Sequence, residues 1–497
     1  MKLENLLQGT EVPYPADLSD LEVTGLTYNS KLVKKGYAFV CIKGFHTDGH
    51  IYAMDAAFRG ASLIICEEDI DIKAVPILRV SDSRKILSKI SANFYENREV
   101  PFHLYGITGT NGKTTVAYML KSIIEAAGNG CGMIGTISYQ VGSREYEARN
   151  TTPESCDIQA MFAEMKEEGV TNCVMEVSSH ALSLGKVSDI RFEAAVFTNL
   201  TSDHMDFHKD AEDYYAAKKK LFYLTTGAAA VNVDDSYGRR LYDELKREEK
   251  TVLGYSLKDK KADYYGEILE TTEKGSLIRV TEKGQMGRSP EEKNECTEIL
   301  KLNTPGIFTI YNGLAATACA RSAGYPFRTV QTGLESLKGV PGRFELVENS
   351  KGIIAIVDYA HTPDGLEKVL KTATDFKKGR LICIFGCGGD RDKKKRSMMG
   401  MVAGKYSDYC IITSDNPRTE KQEVITADIE AGIYETGCNY EIIENRYEAI
   451  KKAVSIYKKG DIIMIAGKGH ETYQIIGESK FHFDDREAAK QIIEYGG

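Results

Sequence analysis

After residue 100, almost every apolar run in this chain stops abruptly at a polar cluster. "FHLYGIT" runs into "GTNGKTT", "NCVMEV" into "SSH", and "AAVFTN" into "LTSDH". Further on, "IIAIVDY" meets "AHTPD", "RLICIFG" meets "CGGDRD", "DYCIITS" meets "DNPR", and "DIIMIAG" meets "KGHE". Short apolar runs alternating with helical stretches read as buried strands of an α/β fold with mainly parallel sheets. Such sheets bind ligands beyond the carboxyl ends of their strands. The expectation is two sheets that present polar edges to one shared cleft.

A chain of 497 residues is too long for a single core. Breaks near "YENREVP" (95–101) and "LKGVPGRFE" (337–345) divide it into 1–98, 99–338 and 339–497. The first block has strands in "AFVCI" and "SLIICEE" around the helix-like "IYAMDAAFRG". The stretch 262–303 reads as strands and hairpins leaving the central sheet. A net charge of −8 argues against sequence-independent nucleic-acid binding, which needs a basic face. No window reaches the roughly 18 apolar residues of a membrane span, and the N-terminus lacks a signal-peptide pattern. The 11 cysteines are scattered without a C-x-x-C, which points to reduced thiols in a cytoplasm.

"GITGTNGKTT" follows a strand and opens a helix. Glycines let backbone N–H groups approach phosphate oxygens, and the helix N-terminus favours negative charge. Gly109, Thr110, Asn111, Gly112, Lys113, Thr114 and Thr115 are therefore the candidate triphosphate cradle. Lys113 supplies a charge and Thr114 a hydroxyl for Mg²⁺. Ile107 stands where the strict phosphate-loop spacing has glycine, and Gly106 and Gly109 share that duty.

Glu176 ends a strand beside this loop. It reads equally as a Mg²⁺ ligand or a helix cap. Asp203, His204, Asp206 and His208 crowd six residues, a density that suits a metal site or a solvated turn alike, with His208 the weaker candidate. "YYAAKKKLF" is a helix whose three lysines read as a solvated face. Spacing alone singles out none of them.

In the third block, Arg343 lies in a turn at the second break. Asp358 is placed to accept from a ribose hydroxyl or to cap the helix at Pro363. Lys393 to Arg396 read as a solvated helix start. Arg391, Asp415, Asn416, Arg418 and Glu471 fall at neighbouring strand ends. Guanidinium forks and carboxylates together make a site for a small zwitterion.

The ordered series "TGTNGKTT", "NTTPE", "EVSSHAL", "TNLTSDHMDFH", "AAKKKLF", "VPGRFE", "DYAHTPDGL", "GCGGDRD", "SDNPRTE" and "AGKGHE" resembles the Mur ligases over essentially the full length. The resemblance implies a small N-terminal α/β domain for the UDP end of the substrate. It implies a central P-loop ATPase domain and a C-terminal domain similar to Rossmann folds or dihydrofolate reductase, which binds the amino acid. It implies a monomeric cytoplasmic enzyme of peptidoglycan precursor synthesis that uses ATP and Mg²⁺. That enzyme would join meso-2,6-diaminopimelate to UDP-N-acetylmuramoyl-L-alanyl-D-glutamate through an acyl phosphate.

By resemblance, Ser30, Thr151, Thr152, Ser178 and Lys186 contact the UDP-muramoyl dipeptide; at Lys186 the family usually has arginine. Asn312 lies on the adenine side, with Arg343 and Asp358 also at ATP. Thr114, Glu176, His204 and Lys218 hold the metal, Lys218 after carbamylation by CO₂. Lys113, Lys218, His204 and Glu176 form the catalytic set. Arg391, Asp415, Asn416, Pro417, Arg418, Gly467 and Glu471 bind diaminopimelate, whose second carboxylate suits Arg418. A lysine-adding ligase, a folylpolyglutamate synthase and an ATP-driven switch are the rival readings.

Overall fold

The structure is a computed structural model describing residues 1–44, 47–97, 99–100, 102–201, 207–283 and 296–496. The chain divides into two compact units. One comprises Met1–Thr108, Gly128–Val196 and Glu212–Ala229; the other Gly109–Ala127, Phe197–Ala211 and Ala230–Gly497.

The first unit opens with a four-stranded parallel sheet, Gly25–Thr27, Tyr37–Val40, Leu63–Cys66 and Ile77–Arg79 in that order. Successive side chains of a strand point to opposite faces. Accordingly Ala38, Val40, Leu63 and Ile65 join one core cluster with Leu87 and Ile90 of the helix Ser83–Phe94. Phe39, Cys41, Ile64 and Cys66 join another with Ala53 and Ala56 of the short helix Ala53–Phe58. Helices on both faces explain why these strands read as continuous apolar runs.

The same unit holds the strand that leads into the phosphate loop. His103–Thr108 pairs in parallel with Asn172–Glu176, which pairs in parallel with Cys131–Ile134. Ser138–Val141 and Arg144–Glu147 extend this as antiparallel strands that the apolar pattern did not announce. In register, Ile107 lies opposite Glu176, so the two strands end together.

The second unit contains Val252–Ser256, Tyr264–Thr272, Gly275–Glu282 and Cys296–Leu302, with Gly275–Glu282 antiparallel to the strands on either side of it, Tyr264–Thr272 and Cys296–Leu302. The expected hairpins are present, but they continue the sheet through the parallel pair Val252–Ser256 and Tyr264–Thr272 rather than leaving it. The helices Lys113–Ala126, Ile307–Ser322 and Phe327–Ser336 also belong to it.

Its C-terminal part is a six-stranded sheet in the order Glu345–Leu346, Ile354–Asp358, Ile462–Ala466, Leu381–Phe385, Tyr409–Ile412, Tyr440–Ile442. Only the first, an edge strand, runs antiparallel. The late strand Ile462–Ala466 is inserted between two earlier ones, and that makes a topological switch point. Ile356, Cys383, Cys410 and Met464 face one helix layer, whereas Val357, Ile384, Ile411 and Ile465 face the other.

Among the described residues no helix is long and apolar enough to cross a membrane. All eleven cysteines are free thiols.

Candidate active site

Two glycines shape the phosphate loop. Gly109 has φ 147° and Gly112 φ 88°, a region that L side chains rarely adopt. A Cβ on Gly109 would stand 1.9 Å from Thr198 Oγ1, and one on Gly112 would stand 2.4 Å from Asn312 Oδ1. The loop is tied to the segment after the strand Ala194–Phe197. Thr110 N–H donates to the Asn199 carbonyl at 2.8 Å, Asn111 N–H to Asn199 Oδ1 at 3.0 Å, and Thr198 Oγ1 to the Asn111 carbonyl at 2.6 Å. Lys113 folds back so that Nζ donates to the Gly109 and Thr110 carbonyls, each at 2.9 Å. Its ammonium is thereby held over the loop at the N-terminus of the helix Lys113–Ala126. Thr114 and Asn312 are buried at the same end.

Arg343 comes to this loop from the third segment. Its Nη2 donates to Thr114 Oγ1 at 3.1 Å, and the guanidinium lies 4.6 Å over the Tyr359 ring. Its Nε is buried with no acceptor among the described residues. Asp358 pins the backbone below. One carboxylate oxygen accepts from Phe344 N–H and the other from Ala360 N–H, both at 2.7 Å. This fixes Phe344 at φ 46°. Burial pushes the Asp358 carboxyl up to about 6, against the pull of Arg343 and of those two amides. Burial and the Arg343 charge push the neighbouring His470 down to about 3.

Sequence reasoning missed Asp364 as a partner of the loop, although it lies within "DYAHTPD". Its Oδ2 accepts from Asn111 Nδ2 at 2.9 Å, from Thr201 Oγ1 at 3.1 Å and from Lys368 Nζ at 2.7 Å.

In the first unit Glu176 is 1% exposed and does not cap a helix. Its carboxylate accepts from the Thr136 backbone at 2.9 Å and from Thr136 Oγ1 at 3.0 Å. The capping role falls to Ser178, whose Oγ accepts from Ala181 N–H. Thr152 Oγ1 donates to the Glu176 carbonyl and accepts from Ser178 N–H, and Thr151 Oγ1 meets Thr136 Oγ1 at 3.0 Å. These contacts gather Thr151, Thr152, Glu176 and Ser178 at one strand end. Lys186 pairs with Glu154 at 3.0 Å, and Arg84 approaches the same carboxylate oxygen at 2.5 Å. The Ser30 hydroxyl beside Asp55 helps hold that carboxylate below the ordinary range.

The lysine-rich helix corrects the sequence reading. Lys218 is 1% exposed on the helix Ala211–Tyr223, with Nζ 4.4 Å over the Tyr214 ring, while Lys220 faces solvent. A buried ammonium carries a desolvation cost that a solvated face does not. Asp203, His204 and Asp206 lie outside the described residues. His208 is buried edge-on to Phe207.

The Thr114 hydroxyl in one unit, and Glu176 and a carbamate on Lys218 in the other, are each hard oxygen donors of the kind Mg²⁺ takes. Asp48, His50 and Glu68 also cluster. There, however, His50 Nδ1 meets Asp48 at 2.5 Å and Nε2 accepts from Glu67 N–H at 2.9 Å, so both ring nitrogens are occupied.

At the carboxyl edge of the six-stranded sheet, the "SDNPR" turn follows the strand Tyr409–Ile412. Asp415, Asn416 and Pro417 are buried and Arg418 is half-buried. Asn416 Nδ2 donates to Glu471 Oε2 at 2.8 Å, and its Oδ1 accepts from Ile475 N–H at 2.9 Å. Lys468, missed by the sequence reading, is fully buried and donates to the same Glu471 oxygen at 3.1 Å. Burial, and then the charge of Asp415, push the Glu471 carboxyl above its ordinary range. Gly467, at φ 114°, lies so close to Asp415 that a Cβ would stand 2.7 Å from Asp415 Oδ2.

The Arg418 backbone sits at φ 52°, held between the Ile475 carbonyl and Gly477 N–H of the hairpin formed by Tyr473–Ile476 and Ser479–His482. Its Nη1 donates to the Gly389 carbonyl at 2.8 Å. Arg391 stays exposed, donating to the Asp390 carbonyl. In the run Lys393 to Arg396, Lys393 and Lys394 are exposed as read, and only Arg396 is a correction. Arg396 is fully buried between Glu420 at 2.8 Å and Asp428 at 2.9 Å, so it anchors an otherwise solvated helix start.

The chain matches three family models in order: Mur ligase family, catalytic domain, over 22–95; Mur ligase middle domain over 107–320; and Mur ligase, glutamate ligase domain, over 342–469. It is 45% identical over 493 residues, 99% of each chain, to a protein of Clostridioides difficile (strain 630) named UDP-N-acetylmuramoyl-L-alanyl-D-glutamate–2,6-diaminopimelate ligase. The chain belongs to the Mur ligase family. A relative of the same name from Caldanaerobacter subterraneus is 44% identical over 99% of both chains. A solved structure bearing that name superposes with a TM-score of 0.69 at 29% identity, over 99% of this Mur ligase and 98% of that chain. The α/β architecture with mainly parallel sheets is thus that of the three-domain Mur ligases.

Proposed function

We propose that this Mur ligase joins 2,6-diaminopimelate to UDP-N-acetylmuramoyl-L-alanyl-D-glutamate at the expense of ATP, supplying a peptidoglycan precursor. The full-length relatives carry that name. The observation that carries the choice of amino acid is the C-terminal edge, where the buried Asp415 and Asn416 and the half-buried Glu471 lie beside the half-buried Arg418. Two acids suit an ammonium, and a guanidinium fork suits a carboxylate. Diaminopimelate offers both at its far end, whereas lysine has no second carboxylate.

A carboxylate does not acylate an amine unaided in neutral water. ATP supplies the leaving group by phosphorylating the D-glutamyl γ-carboxylate, which gives an acyl phosphate and ADP. The loop Gly109–Thr115 cradles the triphosphate through backbone N–H groups. Lys113 and Arg343 neutralise charge on the moving γ-phosphoryl, the dominant need in such transfers. The orphaned Arg343 Nε supports this role, since a phosphate oxygen would satisfy it. Asn312 lies toward the adenine, and Asp358 holds the Arg343 turn beneath the ribose.

Thr114, Glu176, His204 and the carbamate of Lys218 would hold Mg²⁺, which screens the two anions that must meet. Ser30, Thr151, Thr152, Ser178 and Lys186 hold the UDP-muramoyl dipeptide. Arg391, Pro417 and Gly467 complete the amino-acid site with Asp415, Asn416, Arg418 and Glu471. The segments 1–98, 99–338 and 339–497 deliver the three substrates.

The diaminopimelate amine then attacks the acyl carbon, and the tetrahedral intermediate collapses to amide and phosphate. Closure before chemistry keeps water from the acyl phosphate.

Phosphate release with the UDP-muramoyl dipeptide, with diaminopimelate and lysine offered in turn, tests the reading. Diaminopimelate-dependent release with formation of the new amide is expected. Preference for lysine, or ATP hydrolysis without amide, overturns it.

A further inference from the structure

Arg446 and Asp485 form an ion pair in which both side chains are 0% exposed. Arg446 Nε and Nη2 reach the two Asp485 oxygens, each at 2.7 Å. The guanidinium does more than complete this pair. Nη1 donates to the Ser414 carbonyl at 3.2 Å and Nη2 to the Ala466 carbonyl at 3.0 Å.

Those carbonyls belong to the residues immediately before Asp415 and Gly467. They stand at the ends of two strands that are not neighbours, because Leu381–Phe385 lies between Tyr409–Ile412 and Ile462–Ala466. No sheet ladder sets the distance between the two ends beyond the intervening strand; the Arg446 fork spans it. Asp415 meanwhile lies against Gly467 closely enough to exclude a Cβ.

We propose that Arg446, locked by Asp485, is the positioning residue that sets the spacing of Asp415 and Gly467 and thereby the affinity for the incoming diamino acid. This rests on the reading under Proposed function. Burying an ion pair is costly and often replaceable by apolar side chains. The rigid planar fork is the property that neither an apolar residue nor lysine reproduces.

The test is Arg446→Lys in the full-length enzyme. Lysine keeps the charge but cannot hold a bidentate carboxylate and two carbonyls together. The expected result is a KM for 2,6-diaminopimelate raised about tenfold or more, with KM for ATP and for the UDP-muramoyl dipeptide within about twofold. A purely structural pair would move the three KM values together or move none, and either result overturns the inference. If Arg446→Lys does not fold, Asp485→Asn, which keeps shape and removes the locking charge, must show the same selective rise. Failure of the wild-type enzyme to use diaminopimelate would overturn the earlier reading instead, and is seen before any variant is made.

Discussion

Arg343, from the third sequence segment, donates its Nη2 to the hydroxyl of Thr114, the residue that follows the phosphate-loop lysine, at 3.1 Å. The guanidinium is oriented by the Tyr359 ring and by the Asp358-pinned turn. Removing one preorganised donor to a developing charge typically costs about 100- to 1000-fold in kcat. Arg343→Ala is therefore expected to lower kcat for phosphate release by about 100-fold or more while the melting temperature stays within a few degrees. Steady-state kinetics beside a thermal melt measure both. Unchanged kcat would remove Arg343 from the γ-phosphate.

Arg418→Ala should raise KM for diaminopimelate far more than KM for ATP, by about tenfold or more, since a charge-assisted bidentate contact is lost. Because the Arg418 backbone holds φ 52° in this turn, Arg418→Gly is the informative companion. It relieves the backbone while removing the fork, and it should show the same KM rise without loss of stability. An equal rise for both substrates would deny direct recognition.

Glu471 is expected to make the proposed amino-acid site pH-sensitive. Burial and the Asp415 charge raise its pKa, so it keeps its proton to a higher pH than an ordinary glutamate. Protonated, it cannot balance an ammonium. KM for diaminopimelate should fall as pH rises through this titration, while KM for ATP shows no matching inflection. Glu471→Gln should give a high KM that no longer follows this inflection. A pH profile of both KM values in wild type and variant decides it.

Lys218 offers a test of the carbamate. Lys218→Ala should lose nearly all turnover and regain part of it with added short-chain carboxylates, which restore an anionic oxygen donor. Rescue is read as phosphate release against carboxylate concentration. No rescue at any concentration would count against the carbamate.

The sequence by itself determined a great deal. The strands around "GTNGKTT", "EVSSH", "SDNPR" and "GKGHE" were legible because strands covered on both faces become unbroken apolar runs, and their polar ends are the edge where ligands bind. The strands Ser138–Val141 and Arg144–Glu147 escaped this reading because both are short and rich in polar residues, the first although mostly buried, the second as an exposed edge. What tertiary structure alone decided was the fate of charges. Lys218 and Arg396 each sit in a run of cations that reads as solvated, yet both are buried. Arg396 is held by Glu420 and Asp428, 24 and 32 residues away. The bridge from Arg446 to Ser414 and Ala466 joins three distant stretches through backbone carbonyls, which every residue possesses. Hydrophobic periodicity is written locally in the chain, but the partner of a buried charge is chosen only when strand order brings remote segments together.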